Sequence, residues 1–130
     1  MEIDPRSHVP IYLQIVDAIR AAIAARAYRP REALPSLRAL AIEIKVNPNT
    51  IQRAYDELER AGLVYSQRGK GLFVTDEGTQ VAQEHARRNI RRRIDDTLHE
   101  AGRAGMKVDQ VREIFELAAA SFASTEGQKA

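Results

Sequence analysis

The stretch Leu34-Pro35-Ser36-Leu37-Arg38-Ala39-Leu40-Ala41-Ile42-Glu43-Ile44-Lys45-Val46-Asn47-Pro48-Asn49-Thr50-Ile51-Gln52-Arg53-Ala54-Tyr55-Asp56-Glu57-Leu58 decides the fold. Leu37, Leu40, Ala41 and Ile44 fall at i, i+3, i+4 and i+7, and Ile51, Ala54, Tyr55 and Leu58 repeat that spacing. Each set lays one apolar stripe along a helix, and such stripes bury against each other and against a third element. Ser36 is placed to cap the first helix. Asn47 is placed to cap the second, with Pro48 at the first helical position, where a missing N–H costs nothing. Only Lys45 and Val46 stand between, so the spacing predicts a helix-turn-helix.

The outer face of the second helix carries Asn49, Thr50, Gln52, Arg53, Asp56 and Glu57. Its first two turns offer amides, a hydroxyl and a guanidinium, groups that suit phosphates and base edges. Asp56 and Glu57 repel phosphate, so close approach of DNA is confined to those two turns. Taken alone, the same face also fits a solvated surface on a core helix.

Working outward, Met1 to Val9 reads as an irregular lead-in. A helix then runs from Pro10 to about Arg26, with Tyr12, Ile15, Val16, Ile19 and Ile23 as its stripe. This is the third element that covers the pair. Tyr28 to Glu32 is a turn around Pro30, and Ala33-Leu34 a very short strand. Gly62 ends the second helix of the pair as a left-handed cap. Leu63 to Ser66 and Leu72 to Val74 flank the loop Gln67-Arg68-Gly69-Lys70-Gly71, which is a hairpin signal. A helix-turn-helix followed by a hairpin is a winged helix. Arg68, Gly69 and Lys70 at the tip suit a phosphate backbone or a minor groove. A nucleotide-cradling loop is the rival reading, though no helix follows the loop directly and no Ser or Thr follows the lysine. A plain solvated turn is the third.

Residues 1–75 thus form one domain. Residues 76–79 read as a linker. Two helical patterns follow within 80–123. The first spans about Gln80 to Ala101, with Val81, Ala82, Ala86, Ile90, Ile94, Leu98 and Ala101 on one stripe. The second spans about Val108 to Phe122, with Val111, Ile114, Phe115, Leu117, Ala118 and Phe122 apolar. Two amphipathic helices cannot bury both stripes alone. They must pack on the first domain, on a second copy of the chain, or on both. A second copy is the preferred cover, so Ile90, Ile94, Leu98, Val111, Ile114, Phe115, Ala118 and Phe122 are the expected dimerisation residues. Arg87, Arg88, Arg91, Arg92 and Arg93 read first as a solvated face. Residues 124–130 are polar and read as a flexible tail.

The whole is mainly α with a small β-hairpin wing. Its 130 residues are 44% hydrophobic and 29% charged, an ordinary globular balance. Residues 1–75 hold eleven Lys/Arg against eight Asp/Glu, and residues 76–130 hold nine against ten. A modestly basic first half fits a nucleic-acid footprint. There is no cysteine, hence no disulfide, thiol nucleophile or thiolate metal site. His8, His85 and His99 share no metal-ligand spacing. No catalytic constellation, metal site or cofactor motif is visible, so the chain reads as no enzyme. It shows no signal-peptide pattern and no membrane-length apolar run, which makes a cytoplasmic protein the expectation.

The span Pro10 to Thr75 resembles the DNA-binding domain of GntR-type bacterial transcription regulators. The matching marks are Pro10-Ile11-Tyr12-Leu13-Gln14-Ile15, Leu34-Pro35-Ser36-Leu37-Arg38, Val46-Asn47-Pro48-Asn49-Thr50, Arg53-Ala54-Tyr55, Leu58-Glu59, Gly62-Leu63 and Arg68-Gly69-Lys70-Gly71. The Asn-Pro-Asn-Thr form with a two-helix tail is similar to the YtrA-like subfamily, and these 130 residues leave no room for the large effector domain of other branches. The resemblance implies a homodimer on a palindromic operator in double-stranded DNA, usually a repressor. It implies DNA contacts at Arg38, Thr50, Arg53, Gly69 and Lys70, to which the polar start of the second helix adds Asn47, Asn49 and Gln52, and the wing adds Arg68. Arg38 and Arg53 are the first choices for base readout. The residues name no effector.

The chain departs from the family pattern in four places. Arg31-Glu32 stands where Gly-Asp is usual, so the turn after Pro30 is type I or forces a side chain into left-handed space. Lys45 stands where glycine usually ends the first helix of the pair, which strains it by roughly 1–2 kcal/mol if the turn is kept. Pro48 and Gln52 occupy places where other branches use arginines for base contact. Lys107 replaces the usual serine cap of the last helix. A protein-interaction module on a degenerate winged helix is the alternative function.

Overall fold

The computed structural model describes residues 1–129, the last three by their helical backbone alone. Its elements run α1 (Ile11–Ala24), α2 (Leu37–Ile44), α3 (Pro48–Arg60), β1 (Val64–Gln67), β2 (Gly71–Val74), α4 (Gly78–Arg103) and α5 (Val108–Lys129). The chain forms two compact units, residues 1–87 and residues 88–130.

In the first unit the helix pair forms as its spacing dictates. Ser36 caps α2, its Oγ accepting from Ala39 N at 3.1 Å. Asn47 caps α3, its Oδ1 accepting from Asn49 N at 2.8 Å. Ile51, Ala54, Tyr55 and Leu58 of α3 are buried against Ile15, Val16, Ile19 and Ile23 of α1, with Leu40 and Ala41 of α2 completing the seam. Tyr55 keeps its hydroxyl satisfied inside, donating to Pro35 O at 2.8 Å, and burial pushes the phenol well above its ordinary pKa. Leu63, Val64 and Val74 bring the hairpin onto the same core.

β1 and β2 pair antiparallel in the register Val64↔Val74 to Gln67↔Gly71. The hairpin loop is therefore three residues, shorter than the five read from the glycines. Ala33 bridges to Phe73, and Leu34 N donates to Leu72 O at 2.9 Å, so an isolated bridge stands where the sequence predicts a very short strand. The turn before it resolves the two options for Arg31. Glu32 N donates to Arg29 O at 3.0 Å, with Pro30 and Arg31 between, and Arg31 takes φ +68°. That is a type II turn, in which the third residue is left-handed. Arg31 is held there by Asp76, Nε to Oδ1 at 2.9 Å and Nη2 to Oδ2 at 3.2 Å.

Four helices end alike. The N–H two residues past the last turn donates to a carbonyl five residues back, through a left-handed residue at Arg26, Lys45, Gly62 and Gly105. This is the Schellman closure, which favours glycine because a Cβ is crowded at positive φ. Lys45, at φ +55°, takes the left-handed position expected of it.

The expected linker at 76–79 needs correction. α4 begins at Gly78, Thr79 is buried and Ala82 is sealed in the first core. Thr75 Oγ1 donates to Gly62 O at 2.8 Å and ties the segment to the end of α3. A Cβ on Gly78 would lie 2.9 Å from Val74 Cγ1 and 3.0 Å from Leu63 O, so only glycine lets the helix start this close. Polar composition marks a loop, but here hydrogen bonding and a missing side chain dock the segment.

In the second unit, α4 and α5 meet at a turn through Gly105. α5 lacks a serine cap, yet Gln110 Oε1 accepts from Lys107 N at 2.9 Å, one half of a capping box. α5 also runs past Phe122 to Lys129, beyond the expected end; Ala130 of the expected tail lies outside the described residues. Among the described residues no helix is long and apolar enough to cross a membrane.

Candidate nucleic-acid interface

α3 turns one face into the core and the opposite face to solvent. Asn47, Asn49, Gln52 and Arg53 are exposed there and Thr50 is half-buried. Asn47 has its oxygen committed to the helix cap, so only its amide nitrogen faces outward. Gln52 Nε2 donates to Asp56 Oδ1 at 2.9 Å. The Arg53 guanidinium carbon stands 3.8 Å over the centre of the Tyr12 ring, a cation–π stack that fixes the side chain against α1 while its N–H edges stay in plane. Arg38, second residue of α2, is exposed.

The wing tip lies across an open groove from α3. Ser36, Gln52, Asp56, Glu59 and Lys70 line it, so the helix-pair residues and the tip lysine share one surface. The tip is a turn closed by Lys70 N donating to Gln67 O at 2.9 Å, with Arg68 and Gly69 between and all three exposed. Ser66 Oγ donates to Glu59 Oε2 at 3.0 Å and links the wing's first strand to α3. Tyr65 and Phe73 stack at 5.7 Å on the sheet.

Of the candidate DNA-contact residues, Gln52, Gly69 and Lys70 line this groove together; Arg38, Asn47, Asn49, Thr50, Arg53 and Arg68 are not among its lining. Two contacts of this surface are not visible in the sequence pattern. Tyr12 counts there only as a stripe residue, and its ring under Arg53 depends on how α1 crosses α3. Glu59 reads as a family mark without a role, and its bond to Ser66 needs the hairpin folded back.

In the second unit, α4 and α5 leave Ile90, Ile94, Leu98, Ile114, Phe115, Ala118 and Phe122 exposed in the single chain, with Val111 half-buried. Leu117 is 71% exposed. The arginine-rich part of α4 is solvated: Arg91 pairs with Asp95 at 3.2 Å and Arg92 donates to Asn89 Oδ1 at 3.1 Å. No group of three or more His, Cys, Asp or Glu that could hold a metal exists among the described residues.

Helix-turn-helix, hairpin wing and a two-helix extension define a winged-helix regulatory protein. The family model for bacterial regulatory proteins of the gntR family matches residues 11–74. The transcriptional repressor YtrA of Bacillus subtilis (strain 168) is 34% identical over 113 residues, which cover 87% of this chain and 87% of that protein. A transcriptional regulator from Oenococcus oeni superposes with a TM-score of 0.78 at 29% identity, over 92% of this chain and 97% of that one. AraR(DBD) in complex with operator ORX1 superposes with a TM-score of 0.53 at 30% identity, over 58% of this chain and 93% of that one. The chain belongs to the gntR family of bacterial regulatory proteins, and it is similar to YtrA along most of its length.

Proposed function

We propose that the chain is a cytoplasmic transcription repressor that binds a palindromic operator in duplex DNA as a homodimer. One observation carries this reading: Gln52 of α3 and Gly69 and Lys70 of the wing tip line one open groove, with the exposed Asn49 and Arg53 of α3 and Arg68 of the tip near them in the chain. A helix fits the major groove, and a short basic loop beside it fits the phosphates or minor groove alongside. The start of α3 enters the groove with Asn49, Gln52 and Arg53. Arg38, Thr50 and the outward nitrogen of Asn47 meet the DNA at its rim, and Arg68, Gly69 and Lys70 steady it. The operator-bound AraR domain shares this fold. Asp56 and Glu57 limit the contact to the first two turns by repelling phosphate.

Dimerisation supplies the second half-site reader. The apolar side chains that α4 and α5 leave in water support it, because large aliphatic and aromatic groups in solvent are costly unless covered. A two-fold pairing of identical readers calls for a palindrome.

Electrophoretic or fluorescence binding to operator fragments from the chain's own gene neighbourhood tests the DNA claim. Affinity falls steeply with salt if phosphates are neutralised. Arg53→Ala costs roughly 1–3 kcal/mol on the cognate site and relaxes specificity. Lys70→Ala weakens binding to all sequences alike; unchanged affinity removes the wing from the interface. Binding that ignores both changes, or no binding to duplex DNA, overturns the reading.

A further inference from the structure

Gln52 is exposed on α3 one turn from the helix start, with its amide nitrogen 2.9 Å from Asp56 Oδ1. A carboxylate only accepts, so the atom facing it must be nitrogen. The contact therefore sets the sense of an amide that otherwise flips freely. One N–H is committed to Asp56. The second N–H and Oε1 remain as a donor–acceptor pair along one edge of the side chain.

We propose that Gln52, held in this sense by Asp56, reads an adenine in the major groove, and that Asp56 is its positioning residue. The proposal rests on the DNA-binding reading above. Adenine presents an N7 acceptor beside an N6 donor, which matches the remaining N–H and Oε1 as two parallel bonds. Guanine presents two acceptors, O6 and N7, so Oε1 meets a like group. Cytosine offers a lone donor, and thymine a lone acceptor beside a methyl. Asp56 adds to the discrimination, because its carboxylate lines the same groove and repels the acceptor edge of guanine. An unfavourable group against the wrong partner is a common source of specificity.

Asp56 is also a general burden on affinity, since it lies on a surface that meets a polyanion. Its two effects run in opposite directions and can be read separately. Removing it tightens binding to every sequence through lost repulsion, and loosens the preference at one position through a freed amide.

The test is selection of bound sites from random duplex DNA with the full chain, using wild type, Gln52→Ala, Gln52→Arg and Asp56→Ala. Wild type selects adenine at a position that Gln52→Ala flattens, with discrimination there falling about tenfold and the other positions unchanged. Gln52→Arg moves the same position to guanine, the base that a guanidinium fork matches. Asp56→Ala lowers the adenine preference at that position while raising affinity for unrelated DNA. A wild-type site that Gln52→Ala leaves unchanged, or changes evenly at all positions, overturns the inference and leaves the regulator reading standing. A wild-type chain that enriches no sequence overturns both.

Discussion

Residues 1–87 enclose a core of their own, with Ile42 on α2 left 78% exposed, and the described residues beyond 87 leave most of their large apolar side chains in solvent. Ile15, Ile19, Ile23, Leu40, Ile51, Leu58, Leu63 and Val74 are all but sealed from water, whereas Phe115 and Phe122 stand 59% and 67% exposed. Three helices and a hairpin enclose a core because their stripes converge from several directions. Two helices share one seam and leave their outer faces open. The contrast separates two kinds of stability. Changes in the first unit act on the fold of a single chain; if the proposed dimer holds, changes in the second act on association and so depend on concentration.

The largest expected effects test that separation. Leu58→Ala removes a fully buried side chain from the first core and costs roughly 2–5 kcal/mol, the same at every protein concentration. Phe115→Ala combined with Phe122→Ala is expected to leave the first unit's melting unchanged and to shift the proposed dimer towards monomer in sedimentation. A loss of stability independent of concentration would mean that these rings serve the single chain. Truncation sharpens the point. A cut before Thr79 or Ala82 removes part of the first core, so residues 1–87 are the piece that folds as a monomer. A dimeric 1–87 fragment would place the interface elsewhere.

Next come the left-handed residues. Lys45→Gly relieves a positive φ and raises stability by roughly 1 kcal/mol in denaturant unfolding, and Arg26→Gly does the same at the end of α1. A fall on either change would mean that the side chain supports the turn. Thr79 tests the docking of α4, because its Oγ1 is buried without a hydrogen-bond partner. Thr79→Val keeps the shape, removes the unmet hydroxyl and stabilises by about 1 kcal/mol.

The smallest effect concerns the Arg31–Asp76 pair. The hydrogen bonds and charge of Arg31 hold the Asp76 carboxyl below its ordinary value of 3.8. Its folded pKa is thus lower than its unfolded one. The pair stabilises the fold above pH 3.8, and that stabilisation is lost as pH falls through the folded pKa. Asp76→Asn flattens this acid-side slope of the thermal midpoint and changes little at neutral pH, since both groups are in water.

Much of this was legible from local rules. Caps at Ser36 and Asn47, the stripe of α3 and the left-handed Gly62 involve residues within a few turns of each other, and local chemistry decided them. Lys45 was readable as strained for the same reason, whereas local rules leave the turn at Arg31 between type I and a left-handed residue. The span 76–79 was not, because Thr75 and Gly78 act on Gly62, Leu63 and Val74, which are distant in the chain or across a turn. The Tyr12–Arg53 stack was hidden likewise. The two residues lie far apart in the chain, and only the crossing of α1 over α3 brings ring and guanidinium together.

The amino-acid sequence by itself determined the helix pair, the hairpin and the polar face of α3, because capping, periodicity and turn chemistry act over a few residues. The tertiary structure alone decided where α4 joins the first core, which aromatic ring backs Arg53 and which wing residues share a groove with Gln52. Those facts depend on how elements pack, and packing is settled by the simultaneous fit of side chains far apart along the chain.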